Sequence, residues 1–171
     1  LDCSKNELTA VTLSNLPVLD DLNLAENKLT DTLTVSDFPA LTGFSCRKNQ
    51  LTGLTVSNLP ELGHLNCSEN KITSLDAGGL AALKTLLCNE NHLTGVVLNG
   101  SAQYEKVDVH HNHMTDKSKV TGAHEGFSWD GTKYIFDPQY SLVSFTAEQD
   151  GGADGTADST DIILTFNEEV M

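Results

Sequence analysis

A block of nine residues returns almost unchanged about every 21 positions along the first two thirds of the 171-residue chain. Its fourth copy reads Leu65-Asn-Cys-Ser-Glu-Asn-Lys-Ile-Thr. The copies begin at Leu1, Leu22, Phe44, Leu65, Leu86 and Val107. A fixed period of this length is typical of solenoids, in which each repeat is one coil that buries its apolar side only against its neighbours. The repeat therefore predicts a stack of six coils with one continuous core.

Each copy also carries a pattern that predicts its local structure. Positions 1 and 3 are apolar and flank a residue that is usually polar, so each copy should supply one strand to a parallel sheet. Positions 11 and 13 alternate in the same way, as in Leu54 and Val56, and predict a second extended segment on the opposite side. A Ser-x-Leu/Phe-Pro-x-Leu tail, as in Ser57–Leu62, predicts a short 3-10-like turn, because proline disfavours an α-helical residue before it.

Position 6 is asparagine in every copy. A side-chain amide offers two donors and an acceptor. At a bend beside the strand, it can satisfy backbone groups that a buried turn would otherwise leave without partners. We predict that these amides form a structural ladder along the stack. Its members are Asn6, Asn27, Asn49, Asn70, Asn91 and Asn112.

The four cysteines all occupy position 3, where other copies carry Leu24 and Val109. A position that accepts Cys, Leu or Val is a small apolar slot that faces the core. Equivalent Cβ vectors of adjacent coils run side by side, which is poor geometry for a disulfide. The spacing also places each thiol on a separate coil, which does not suit a zinc site. We predict buried free thiols at Cys3, Cys46, Cys67 and Cys88.

The pattern Leu-x-Cys/Leu-x-x-Asn-x-Leu-Thr resembles the leucine-rich repeat family. The 21-residue period and the Leu-Pro-x-Leu tail are similar to those of exported bacterial leucine-rich repeat proteins, related in style to internalins. The resemblance covers residues 1–127. It implies a mainly β solenoid with a concave parallel sheet of about six strands, a role in binding rather than catalysis, and an extracellular or cell-surface location. We expect any export signal or anchor to lie outside this sequence.

Residues 127–139 are predicted to close the end of the stack, so that the solenoid and its cap span 1–139. Asp130-Gly131 lies between two β-prone runs and is a signal for a two-residue hairpin turn. Trp129, Tyr134 and Phe136 bring aromatic bulk to the place where the last coil would be exposed. We predict a C-terminal β-hairpin cap, and we interpret Trp129 as a packing residue rather than as a platform for a sugar ring.

Residues 140–171 contain two strand-like runs that are joined by an acidic Gly/Asp linker. They resemble the opening of a bacterial immunoglobulin-like adhesion module, which would be incomplete here. The linker carries Asp150, Asp154, Asp158 and Asp161. Their spacing does not match a helix-loop-helix calcium site. We therefore predict a solvated linker.

The net charge of −14 bears on the class of partner. A chain this acidic repels a phosphate backbone, so we predict no nucleic-acid partner. Nor does any apolar run approach the roughly 20 residues of a membrane helix. We therefore predict no membrane insertion.

Positions 2 and 4 should face solvent on the sheet and are the candidate partner-binding strip. The strip is small and polar, and among its residues only Arg47 is of a type enriched in binding hot spots. The expected partner is a protein or a glycan. Two alternatives remain open, namely a merely solvated face and a rigid spacer that displays another domain. The strip residues are Ser45, Arg47, Asn66, Ser68, Asn89, Asp108 and His110.

Histidines gather late in the stack, close to Glu90 and Asp108. Imidazoles with a carboxylate suit Zn, Cu or Ni. The alternative is a solvated turn, and we expect no resident cofactor. A metal function at the His92/His113 edge is a secondary hypothesis. No nucleophile is placed beside the histidines, so the sequence predicts no enzyme. The four histidines are His92, His110, His111 and His113.

Overall fold

The computed structural model of the chain describes residues 1–140 and the backbone of two further strands, Phe145–Gln149 and Ile162–Phe166. The chain consists of two compact units, Leu1–Tyr140 and Ser141–Met171. Within the described residues, no helix is long or apolar enough to cross a membrane.

Short strands make up nearly all of the regular structure. A 3-10 turn at Lys117–Lys119 is the one helical element among the described residues. In chain order the strands are β1 (Asp21–Asn23), β2 (Thr32–Ser36), β3 (Gly43–Ser45), β4 (Gly53–Ser57), β5 (His64–Asn66), β6 (Leu75–Asp76), β7 (Thr85–Leu87), β8 (Val96–Val97), β9 (Lys106–Asp108), β10 (Val120–Thr121), β11 (Tyr134–Ile135), β12 (Phe145–Gln149) and β13 (Ile162–Phe166).

The predicted parallel sheet forms, with six strands in the order β1-β3-β5-β7-β9-β11. Its register pairs equivalent repeat positions, as in Phe44 with Leu65 and Leu65 with Leu86. The structure differs from the prediction of one strand per repeat at the two ends of the sheet. The first copy joins the sheet only through an isolated bridge between Asp2 and Asn23, and the sixth strand is β11 from the cap segment.

From the second coil onward, positions 1 and 3 point into the core, as their alternation predicts, whereas Leu1 of the first coil is 55% exposed. Leu65 and Cys67 are completely buried, as are the equivalent residues of the neighbouring coils. All four cysteines are free. Cys46, Cys67 and Cys88 are buried, whereas Cys3 in the first coil is half-buried. Burial raises the pKa of the Cys67 thiol to about 12. The three buried thiols are therefore neutral packing groups.

The asparagine column forms a ladder that joins adjacent coils. Asn70 Nδ2 donates to the carbonyl oxygens of Cys46, Cys67 and Ser68, each at 3.1 Å. Asn70 Oδ1 accepts the N–H of Leu51 at 3.1 Å. Each amide thus ties two coils together while it satisfies a buried N–H, which would be costly to leave unpaired. The rungs with this pattern are Asn27, Asn49, Asn70, Asn91 and Asn112.

The opposite side of the stack carries the second column of extended segments. It consists of a two-stranded parallel sheet, β2-β4, and a three-stranded sheet in the order β10-β8-β6. The Leu-Pro-x-Leu tails are tight turns, closed by bonds such as that from the Leu62 N–H to the Leu59 carbonyl at 3.2 Å. The sixth coil, which by sequence keeps only its first half, nevertheless supplies β10 to this column.

The predicted β-hairpin does not form within residues 127–139. The Asp130 carboxylate instead accepts the N–H groups of Thr132, Lys133 and Tyr134 at 2.8, 2.8 and 3.0 Å. These bonds lower the pKa of Asp130 to about 2. They curl the segment into a local turn, and β11 then pairs parallel with β9. The reason is that the last coil leaves a sheet edge open, and β11 continues the existing stack.

Aromatic side chains of the cap cover the end of the core. Trp129 is half-buried and meets Phe127 and Phe136 edge-on, with ring centroids 5.0 and 5.3 Å apart. Tyr134 lies against Phe127 at 4.2 Å and donates its hydroxyl to the Tyr104 carbonyl at 2.8 Å. Trp129 therefore packs within an aromatic cluster.

In the second unit, β12 and β13 pair antiparallel, from Phe145 opposite Phe166 to Gln149 opposite Ile162. The acidic linker between them lies outside the described residues. The immunoglobulin-like assignment stays a prediction.

Candidate binding face and histidine cluster

Positions 2 and 4 lie on one face of the six-stranded sheet, where they form a polar strip. The strip is less exposed than the sequence predicts. Ser68 is 4% exposed and Asp108 is 6% exposed, while the other strip residues are half-buried. Adjacent coils stand only about 4.8 Å apart, so small polar side chains shield one another. They also bond to each other, as when Ser68 Oγ donates to Asn66 Oδ1 at 2.7 Å.

Arg47 is held near the middle of this strip by carboxylates of the two flanking coils. Its Nη2 forms an ion pair with Glu69 Oε1, and its Nη1 lies 3.9 Å from Glu26 Oε1. Glu26 also lies 3.5 Å from Lys48 Nζ. The Arg47 side chain is 40% exposed, so each pair contributes at most about 1 kcal/mol. The main consequence of these ion pairs is that they orient the Arg47 guanidinium group, whose outer surface still faces solvent.

Position 5 of every coil adopts a left-handed backbone conformation that the repeat pattern does not predict. The φ angles lie between 50° and 56°, although none of these residues is glycine. Such angles are uncommon for residues with a side chain. The conformation turns the chain sharply between the sheet strand and the buried asparagine. The residues are Lys5, Glu26, Lys48, Glu69, Glu90 and His111.

This backbone turn brings Glu90 next to two histidines of the following coil. Ligand atoms of Glu90, His110 and His111 all lie within 4.8 Å of one another. His110 and His111 meet edge-on, with ring centroids 4.7 Å apart. His110 Nδ1 is also hydrogen-bonded to Oδ1 of the buried Asp108. The sequence placed these groups in one region, and the structure gathers three of them into one cluster.

The other two histidines form a separate pair. His92 and His113 stack as nearly parallel rings, with centroids 4.9 Å apart and an interplanar angle of 10°. Their side chains are not part of the Glu90 cluster. Tyr140 connects the two groups because it stacks on His111 at 5.2 Å and meets His113 edge-on at 5.9 Å. Partial burial, and then the nearby His92, lower the pKa of His113.

Comparison of the chain with models of known protein families, with characterised proteins and with solved structures found no match.

Proposed function

We propose that the chain is a non-catalytic binding module of a secreted or cell-surface bacterial protein, of the leucine-rich repeat kind similar to internalins. The polar strip is its contact surface, and the ligand is a protein or a glycan. The observation that carries the proposal is the register of the six-stranded sheet. It aligns position 2 of successive coils in a row on one face, and backbone bonds such as that from the Glu26 N–H to the Arg47 carbonyl at 2.8 Å continue the alignment at position 4. The repeating positions are used for the core and the ladder.

The scaffold beneath the strip supports this role. The ladder bonds cross from coil to coil. The position-2 side chains stand on the strands, and the position-4 residues follow directly after the strands, where backbone bonds between coils hold them, as from the Lys48 N–H to the Ser68 carbonyl at 2.9 Å. Residues held in this way lose little conformational freedom on binding, which favours affinity. A polar strip with small side chains suits a contact that includes bridging waters. Arg47 is the expected energetic centre because it alone offers an oriented cation at mid-strip.

A rigid spacer that displays another domain is the second candidate. The same ladder favours it, because a stack tied together at every coil resists bending. In that case the polar strip needs no ligand. The two functions therefore differ in what Arg47 does, and a charge reversal at this position separates them.

The test is a pull-down from host-cell or bacterial-envelope extracts with the chain and two variants. Arg47→Glu sets a third carboxylate beside Glu26 and Glu69 on the strip. Lys71→Glu makes the same charge change at an exposed position 7 of the stack and serves as the matched control. Circular dichroism verifies that both variants remain folded.

We expect Arg47→Glu to weaken capture about tenfold or more, which corresponds to a loss of about 1.4 kcal/mol. Lys71→Glu should bind like the unchanged chain. A partner that binds both variants equally well would disprove the strip assignment. If the unchanged chain captures no partner from either extract, the result favours the spacer function.

A further inference from the structure

We propose that Glu90, His110 and His111 form a binding site for a divalent transition-metal ion of the zinc type. Two imidazoles and one carboxylate are a donor set that such ions accept, with Zn–N distances of about 2.0–2.1 Å and Zn–O distances of about 2.0–2.2 Å. Ligand atoms around one tetrahedral ion lie roughly 3.4 Å apart on this geometry. The three groups already lie within 4.8 Å of one another, so small side-chain rotations bring them into range.

Backbone hydrogen bonds hold the donors together without help from a metal. The Glu90 N–H donates to the His110 carbonyl at 3.1 Å, and the Asn91 N–H donates to the His111 carbonyl at 3.3 Å. Glu90 and His111 also share the left-handed conformation, with φ of 54° and 50°. The coil stack therefore sets the distance between the carboxylate and the two imidazoles. A site prepared in this way loses little entropy when the ion binds.

The contact between Asp108 and His110 distinguishes this cluster from a chance group of surface histidines. Its carboxylate is buried and bonded to Nδ1 of His110. With Nδ1 as the donor of that bond, Nε2 carries the lone pair and is free to bind a metal. Metal-binding histidines usually donate their second ring nitrogen to a carboxylate in this way, which fixes the tautomer and the ring orientation. Asp108 is thus a positioning residue of the site.

Tyr140 orients the second imidazole, because its ring stacks on His111 with an interplanar angle of 19°. Three protein ligands leave one tetrahedral position open for a water molecule. His92 and His113 stack on each other and take no part. The metal site is independent of partner recognition by the polar strip. Its test uses only the metal ion and needs no partner.

The experiment is a calorimetric titration of Zn²⁺ into the full, untagged chain after treatment with a chelator. We expect one ion per chain. Glu90→Gln and His111→Asn each remove one ligand, and asparagine tolerates the left-handed backbone at position 111. Each variant should bind at least tenfold more weakly. His92→Gln is the matched control, because it removes a nearby histidine outside the cluster, and it should bind with unchanged affinity.

Asp108→Asn tests the positioning role, and we expect it to weaken Zn²⁺ binding by about 10- to 100-fold while all three ligands remain. A large excess of Mg²⁺ should not displace the ion, because Mg²⁺ prefers oxygen ligands. A flat trace for the unchanged chain, full affinity in His111→Asn, or displacement by Mg²⁺ would each overturn the proposal.

Discussion

Gln139 donates from Nε2 to the Val109 carbonyl at 3.0 Å, just as Asn112 Nδ2 donates to the Cys88 carbonyl at 3.0 Å one coil earlier. Gln139 Oε1 also accepts the Met114 N–H at 3.4 Å, in the way that Asn112 Oδ1 accepts the Leu93 N–H. Gln139 is therefore the last rung of the asparagine ladder, supplied by the cap.

The first prediction concerns this rung. Gln139→Ala should lower the free energy of unfolding by about 1 kcal/mol, since the half-buried Met114 N–H loses its partner. Gln103→Ala is the control, because that exposed side chain bonds only to Ser101 within its own turn. Its effect should stay within about 0.5 kcal/mol. Urea unfolding measures both, and equal effects would contradict the role of Gln139 as a rung.

A central rung should contribute more to stability than the first one. Asn91→Ala leaves the buried Ile72 N–H unpaired and should cost about 1–3 kcal/mol. Asn6→Ala is the matched control, because the Asn6 amide donates only to Cys3 and Ser4 within its own coil. We expect a cost below that of Asn91→Ala by at least about 1 kcal/mol in urea unfolding. A smaller difference would show that the inter-coil bonds contribute little.

Much of the fold could be predicted from the sequence because it repeats. Leu65 and Cys67 recur in phase with their equivalents, so the inward face, the parallel pairing and the second column follow from the period alone. The amide at Asn70 could be placed at a bend for the same reason. These features depend on contacts between equivalent positions, which a single repeat already encodes.

The cap and the site could not be predicted in the same way, because they depend on contacts between unlike positions. Asp130-Gly131 matches a hairpin turn locally, but the open edge of β9 recruits β11 into parallel pairing instead. Gln139 stands 27 residues after Asn112 and is not an asparagine, so the period does not reveal it. Likewise, no residue type at position 5 indicates the left-handed turn that places Glu90 beside His110 and His111.

The backbone conformation and surroundings at position 122 require glycine, whereas those at position 79 do not. Gly122 has φ of 74°, and an added Cβ would collide with the Leu98 carbonyl oxygen. Gly122→Ala should therefore lower the free energy of unfolding by more than about 1 kcal/mol. Gly79 has open space around its Cα, so Gly79→Ala should change stability by less than about 1 kcal/mol in either direction. Thermal unfolding of the two variants provides the comparison, and equal midpoints would refute it.

The stacked pair His92 and His113 should make stability depend on pH. The pKa of His113 is lowered from 6.5 by partial burial and by His92, so the folded chain holds this proton less well than the unfolded chain. The contribution of His113 to the free energy of unfolding is therefore fully present above about pH 6.5 and is lost as the pH falls below that value. An NMR titration of the ring protons should show a low midpoint for His113 that rises in His92→Gln. An unchanged midpoint would mean that the two rings are not coupled.

The most direct test of the binding proposal is site-specific photo-crosslinking from the polar strip. A photoreactive residue replaces Ser45 on the strip in one variant and the exposed Thr55 on the opposite side of the stack in the other. Both variants are irradiated in the same host or envelope extracts. A specific crosslinked partner at Ser45 and none at Thr55 is the predicted result. Crosslinking of that partner only at Thr55 would contradict the account.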